Sequence, residues 1–310
     1  MKKLLIAAAF ILAHGRLLAQ DADEAARLKL NFPAAGWQRG EASVAQENSH
    51  KAIASALQSF SPNIEVDLIH FIDEKGDTVG LLAHEYEMKR TTGMKGKFFD
   101  QKDFSRLRNT ANPNLPPEPF ITIIDLFELI KKVKAEQNII PLVSLDLKED
   151  SDRGEEFGAW LGGKIRAYGF QAHAFASSFY ASNVAGVEKS CPECLTGGLV
   201  FKDHWLLRYL DYTCTSLDLA QNSIFANLLP FVEMTMYPHD FVLIQDDIIF
   251  SQPELIEYWK NTRKVKFVGV FVYEKARGYT DAEWQVLQKA DWLELDPAQI
   301  RQYEKYKITK

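Results

Sequence analysis

The chain has 310 residues, 46% of them hydrophobic, 25% charged and 12% aromatic, with a formal net charge of −6. That composition is globular, and the length suits one large domain or two smaller ones. An acidic chain without a basic block argues against nucleic acid as a partner and against bulk attraction to anionic membranes, leaving room only for a local basic pocket.

The first residues read differently from the rest. Lys2-Lys3 form a basic start, Leu4 to Ala13 an apolar run, and Leu17-Leu18-Ala19 a cleavage end before Gln20. The apolar run is about half the length a bilayer-spanning helix needs. Residues 1–19 therefore read as a removable secretory signal, with no stable membrane insertion expected. The residue directly after the signal is Gln20 and not a cysteine, which argues against a lipid anchor. Loss of Lys2, Lys3 and Arg16 with the signal takes the net charge from −6 to about −9. The mature chain, residues 20–310, reads as one domain, exported to a periplasm or to the outside.

Short apolar strands then alternate with amphipathic helices. A first strand is expected at Ala34–Arg39, and a helix at Asn48–Phe60 with apolar positions at Ile53, Ala56, Leu57 and Phe60. Ile64–Ile69 is strand-like, Asp73-Glu74-Lys75-Gly76-Asp77 is a turn, and Thr78–His84 returns as a strand. Asp100–Arg108 is expected to be helical, before a proline-rich loop through Pro113, Pro116, Pro117 and Pro119. Thr122 is placed to cap a helix running to about Gln137.

Further strands are expected at Ile139–Leu147, Ala172–Ser177, Gly198–Phe201, Tyr212–Leu217, Phe241–Gln245, Val265–Tyr273 and Trp292–Leu295. Helices are expected between most of them, at Gly154–Tyr168, Leu219–Leu229, Glu254–Arg263 and Asp281–Lys289. Nearly continuous apolar strands joined by helices imply a parallel sheet covered on its outside. About eight such units predict an α/β fold of the (β/α)8 TIM-barrel type. The alternative is a doubly wound open sheet, but no glycine-rich phosphate loop supports it.

Three cysteines are present, Cys191, Cys194 and Cys214. The Cys191-Pro192-Glu193-Cys194 pair is compatible with a redox motif, half a metal site or a structural disulfide. It is not placed to open a thioredoxin-like helix, and a zinc site needs four ligands. A local loop disulfide, or free thiols, is the expected reading.

Polar clusters fall in a definite order: Gln38-Arg39-Gly40, Glu47-Asn48, Glu65-Val66-Asp67, His84-Glu85, Arg90-Thr91-Thr92 and Asp146-Leu147-Lys148. Buried charge is costly unless paired or bound to a metal. Residues two apart on a strand face the same side, so Glu65 with Asp67, and Asp146 with Lys148, can converge at strand ends. Acids converging with cations make a poor core but a good site for a metal and a phosphate, and oxygen ligands of this kind suit Mg2+ or Ca2+. Arg39 and Lys148 can neutralise phosphate charge.

This ordered set resembles the glycerophosphodiester phosphodiesterases. The likeness is closest from Gly36 to Lys148 and extends more weakly through Ala176-Ser177-Ser178-Phe179 to Asp291-Trp292-Leu293-Glu294-Leu295-Asp296-Pro297. The resemblance implies a (β/α)8 enzyme that uses a divalent cation, Ca2+ or Mg2+, to release glycerol-3-phosphate. Its substrates would be small phosphodiesters such as glycerophosphocholine or glycerophosphoethanolamine. It implies Glu65, Asp67 and Asp146 as metal ligands, Arg39 and Lys148 as phosphate binders, and His84 as an acid/base residue. Asp146 stands where the family usually has Glu; related sphingomyelin-cleaving barrel enzymes use Asp there. Glu85 stands where Asp usually follows the histidine.

The largest departure is Gln38, where the family carries its first catalytic histidine. A glutamine amide can orient a group but cannot move a proton near neutral pH. His50 and His70 are the nearby candidates for a substitute base, although strand parity would point His70 away from the site. His173, His204 and His239 read as structural. Trp37, Tyr86, Phe179 and Phe271 are candidates either for a choline-type pocket or for core packing. The competing readings are a phosphodiester-binding protein that keeps the site without turnover, and a barrel glycosidase. The glycosidase does not explain Arg39, Lys148 and Arg90-Thr91-Thr92 together.

Overall fold

The computed structural model describes residues 34–101, 103–138, 140–149, 153–200, 240–272 and 278–308. The expected signal at 1–19, the strand Tyr212–Leu217, the helix Leu219–Leu229, and Cys214, His204 and His239 lie outside the described residues.

In chain order the elements are β1 (Ala34–Gln38), α1 (His50–Leu57), β2 (Asn63–Ile72), β3 (Thr78–Leu82), α2 (Met88–Thr92), β4 (Arg108–Asn109), β5 (Glu118–Pro119) and α3 (Ile123–Gln137). There follow β6 (Val143–Leu147), α4 (Gly154–Tyr168), β7 (Ala174–Ser178), α5 (Ala181–Ser190) and β8 (Leu195–Val200). The last part contains β9 (Phe241–Gln245), α6 (Asp246–Ser251), α7 (Glu254–Asn261), β10 (Phe267–Phe271), α8 (Asp281–Leu287), β11 (Trp292–Leu295) and α9 (Pro297–Ile308). Strands β1, β2, β6, β7, β8, β9, β10 and β11 pair in parallel in that order, and β11 returns to β1. The sheet is a closed barrel of eight parallel strands, as the alternation of strands and helices predicts.

Local chemistry accounts for several element ends. Thr122 caps α3 as expected: its hydroxyl accepts from the Asp125 amide while the Asp125 carboxylate accepts from the Thr122 amide, a reciprocal capping box. Ile123, Leu126, Phe127, Ile130 and Val133 then line the buried face of α3. In the Asp73–Asp77 turn, Asp73 Oδ1 accepts from the Lys75 and Asp77 amides at 2.9 Å each, and Gly76 takes a φ of 84°.

Asp100–Arg108 does not form the expected helix. A single 3-10 turn spans Phe98–Asp100, and Asp103 Oδ1 accepts from the Ser105 amide at 2.8 Å. That side-chain bond offers the backbone an alternative to the helix, and burial of Phe98 and Leu107 against Phe71, with Phe104 packed on the same cluster, favours the irregular path.

The interior of the barrel is layered. At the N-terminal strand ends Phe175 meets Phe241, Phe267 and Trp292 edge-on, with ring centroids 5.2, 5.3 and 5.0 Å apart. Gly197 makes room for this plug, because a Cβ there would lie 2.4 Å from the Phe241 ring. Polar side chains occupy the opposite, C-terminal half. Trp37 faces outward, where its indole N–H donates to Ser59 Oγ at 2.8 Å and Ser61 O at 3.0 Å. It belongs to the core outside the barrel, not to a ligand pocket.

Cys191 and Cys194 form a disulfide between α5 and β8, which decides between the loop disulfide and the free thiols that the sequence left open. It precedes β8 and so lies at the end of the barrel away from the polar mouth.

Candidate active site

Strand register brings together the acids that the chain keeps far apart in sequence. Glu65 pairs with Ser144 and Asp67 with Asp146 across β2 and β6, so alternate residues of both strands face inward together. Ligand atoms of Glu65, Asp67 and Asp146 lie within 4.8 Å of one another, and all three residues are buried. Lys148 follows β6 and pairs with Asp67 Oδ1 at 3.0 Å and with Asp146 Oδ2.

Arg39 reaches the same carboxylates from β1. Its amide donates to Glu65 Oε2 at 3.0 Å, its Nε lies 3.0 Å from Asp67 Oδ2, and its Nη1 lies 3.3 Å from Glu47 Oε2. The backbone of Arg39 is left-handed, with a φ of 57°, which is uncommon for a residue with a long side chain. Its place in the ion-pair cluster holds it there. Asn48, also left-handed at a φ of 55°, donates from Nδ2 to Asp67 Oδ2 at 2.9 Å.

His84 is positioned by the β2–β3 hairpin. The Ala83 amide donates to the Asp67 carbonyl at 3.2 Å, which sets the next residue above Asp67. His84 Nδ1 lies 3.3 Å from Glu85 Oε1, so the longer acid at position 85 still reaches the ring. Glu85 Oε1 also accepts from Arg90 Nε at 2.6 Å, and Arg90 Nη2 donates to Glu47 Oε1 at 2.5 Å. Arg90 therefore ties the His84 partner to the Arg39 partner.

Electrostatics separate these groups. Burial opposes the charge of Asp67, but Lys148, His84, Arg39 and the Asn48 bond together hold its carboxyl well below the usual range. Burial, with Asp67 next in weight, pushes Glu65 well up. Burial also raises Asp146, against the pull of Lys148. For His84, burial outweighs the attraction of Asp67, and the ring is pushed down to about 4, leaving it neutral near pH 7.

The donor set fits a hard divalent cation. The three acids are matched by two cations, Arg39 and Lys148, so the ionised cluster is one positive charge short. Asp146 Oδ1 is buried without a hydrogen-bond partner among the described residues, a polar atom of the kind a metal satisfies.

Other expected residues lie elsewhere. Gln38, at the end of β1, donates from Nε2 to the Val272 carbonyl at 3.3 Å. His70 is buried outside the acidic cluster, stacked on Phe157 at 4.9 Å with Nδ1 3.2 Å from Glu149 Oε2, the outward orientation that strand parity predicts. His50 is exposed on α1. Tyr86 donates to Glu149 Oε2 at 3.0 Å, Phe271 packs in the barrel interior, and Phe179 lies 5.9 Å from Lys148 Nζ.

Sequence reasoning gave no role to Glu294. It is buried in the barrel, where Oε1 accepts from Ser144 Oγ at 2.7 Å and from Trp292 Nε1 at 3.1 Å. The signal was present, since an acid inside Trp-Leu-Glu-Leu is as anomalous as Glu65 and Asp67 on β2. Burial pushes this carboxyl up to about 7 against the effect of the Ser144 bond. Unfolded Glu titrates near about 4.3. Between these values the folded protein keeps a proton that the unfolded chain has released, so this group's contribution to stability falls as pH rises through the window. Glu294→Gln keeps an acceptor for both bonds and cannot ionise. Its Tm is expected to gain on the wild type between about pH 5 and about pH 8; a difference that stays constant over that range contradicts the assignment.

No protein-family model matches the chain. No curated protein matches it either. Among solved structures, a phosphodiesterase from Oleispira antarctica in complex with the product sn-glycerol-3-phosphate is 16% identical with a TM-score of 0.61, over 89% of this chain and 97% of that one. A glycerophosphodiester phosphodiesterase from Agrobacterium tumefaciens is 17% identical with a TM-score of 0.57, over 86% of this chain and 96% of that one. One from Parabacteroides distasonis is 13% identical with a TM-score of 0.58, over 90% of this chain and 100% of that one. At these identities the likeness is one of architecture: this chain has the barrel fold of the glycerophosphodiester phosphodiesterases.

Proposed function

We propose that the protein is an exported, cation-dependent phosphodiesterase that hydrolyses glycerophosphodiesters to glycerol-3-phosphate and an alcohol. The observation that carries this reading is the convergence of Glu65, Asp67 and Asp146 with Arg39 and Lys148 at the C-terminal mouth of a barrel. In such barrels function gathers at that mouth. The product bound to the Oleispira antarctica relative supports a small phosphodiester as the substrate class. Export rests on the Lys2-Lys3 start and the Leu4–Ala13 run.

In this reading Glu65, Asp67 and Asp146 would hold Ca2+ or Mg2+, and the ion would supply positive charge to a phosphoryl oxygen. Arg39 and Lys148 neutralise the remaining phosphate charge and orient it. Neutral His84 exchanges a proton with the reacting oxygen. Gln38 stands at the position where the family resemblance places a histidine, and it supplies no proton. That residue favours the second reading, a protein that binds phosphodiesters without turnover.

The test is release of glycerol-3-phosphate from glycerophosphocholine or glycerophosphoethanolamine with Ca2+ or Mg2+, and its loss on adding EDTA. Folded protein that yields no product above a metal-free blank overturns the enzyme reading. Calorimetric binding of the diester without hydrolysis establishes the binding protein instead.

A further inference from the structure

The closing strand of the barrel, which borders β1, leads into one more ionisable group at its C-terminal end. The β1–β11 register pairs Gly36 with Glu294 and Trp37 with Leu295. Gln38 ends β1 one residue beyond that register, and Asp296 follows Leu295 at the end of β11. Trp292 and Glu294 face the barrel interior, as their rings and hydrogen bonds show. Asp296 is the next alternate position after Glu294, one residue past the end of β11 at the C-terminal mouth.

The surroundings of Asp296 suit proton exchange. It is half-buried, at the junction of β11 and α9. Among the described residues no group hydrogen-bonds its carboxylate. Arg39 attracts its charge, whereas Asp246 at the end of β9 and Glu47 repel it. Tyr279, which donates to Asp246 Oδ2 at 3.1 Å, also feels Asp296. Burial is the largest influence and raises the carboxyl above its ordinary value. Arg39 links the two sides of the mouth electrostatically: it pairs with Asp67, below His84, and its charge also attracts that of Asp296.

We propose that Asp296 is the second proton-transfer residue of the site, taking the role that Gln38 cannot perform. The inference rests on the phosphodiesterase reading given above. In the hydrolysis a water oxygen bonds to phosphorus and the phosphorus–oxygen bond to the departing alcohol breaks. The proton lost by the water goes to His84, and the proton gained by the departing oxygen comes from Asp296. Exchange with solvent then returns His84 to its neutral form and Asp296 to its acid. A carboxylic acid in this role places the falling limb of the pH–rate profile below that of an imidazole.

The structural alternative is that Asp296 only begins α9, since its carbonyl accepts from the Ile300 amide at 2.9 Å. Asparagine serves a helix start as well as aspartate does, so Asp296→Asn separates the two roles. The experiment compares wild type, Asp296→Asn, Gln38→His and the double variant on glycerophosphocholine, with Tm and a full pH–rate profile for each. Asp296→Asn is expected to lose about 10²–10⁴-fold in kcat/KM with an unchanged Tm. Adding Gln38→His to it is expected to restore most of the loss. Gln38→His alone is expected to move the falling limb toward neutral pH.

An active wild type matched in rate by Asp296→Asn overturns the inference and leaves the phosphodiesterase reading standing. So does a loss in Asp296→Asn that Gln38→His does not relieve. If Asp296→Asn does not fold, a wild-type falling limb that coincides with that of Gln38→His overturns the inference by itself. A wild type that releases no product overturns the phosphodiesterase reading, and this inference with it.

Discussion

Replacing His84 with alanine is expected to lower the rate of glycerophosphocholine hydrolysis by about 10²–10⁴-fold, the range for loss of one acid/base residue. The effect should fall on kcat more than on KM, because the imidazole exchanges a proton in the transition state and makes no ion pair with a phosphate. His84 is suited to this because burial keeps its ring neutral down to about 4. Its side chain is 29% exposed, so the alanine variant should fold with a near-native Tm. Kinetics beside a thermal melt check both halves of the expectation. A folded variant with wild-type kcat removes His84 from the reaction. Arg90 and Glu85 hold the ring from one side, so changing either should weaken catalysis less than removing the ring itself.

Lys148→Met should be the most destabilising single change at the site. Lys148 is 14% exposed and pairs with Asp67 and Asp146, both acids of the buried cluster. Burial disfavours its charge, but the two carboxylates hold it protonated above the usual lysine range. Methionine keeps much of the side-chain volume and removes the charge, leaving the acids under-compensated. Breaking a buried ion pair from one side costs about 3–5 kcal/mol. Chemical denaturation in EDTA should show that loss, and Ca2+ or Mg2+ should recover part of it by returning positive charge to the same oxygens. A variant as stable as wild type in EDTA contradicts the account of the cluster. A loss that neither ion relieves speaks against cation binding at these carboxylates.

The two expectations depend on different kinds of information. Charged pairs at two-residue spacing on apolar strands, Glu65 with Asp67 and Asp146 with Lys148, were legible in the sequence because strand parity is local. The cost of burying charge then marked them as a site. Helix ends such as Thr122 with Asp125, the Asp73–Asp77 turn and the alternation of strands with helices were legible for the same reason: each depends on neighbours within a few residues. Segment 103–108 was not, because a side-chain bond from Asp103 and the packing of Phe104 and Leu107 compete with helix formation there.

The amino-acid sequence thus determined the barrel, the inward acids and the outward turn of His70. Only closure of the barrel set the last strand, β11, against the first. The pairing of β1 with β11 carries Glu294 into the interior and fixes Trp37 in the outer core. Pattern and propensity act over a few residues, whereas register between the first and last strands is set by the packing of the whole sheet.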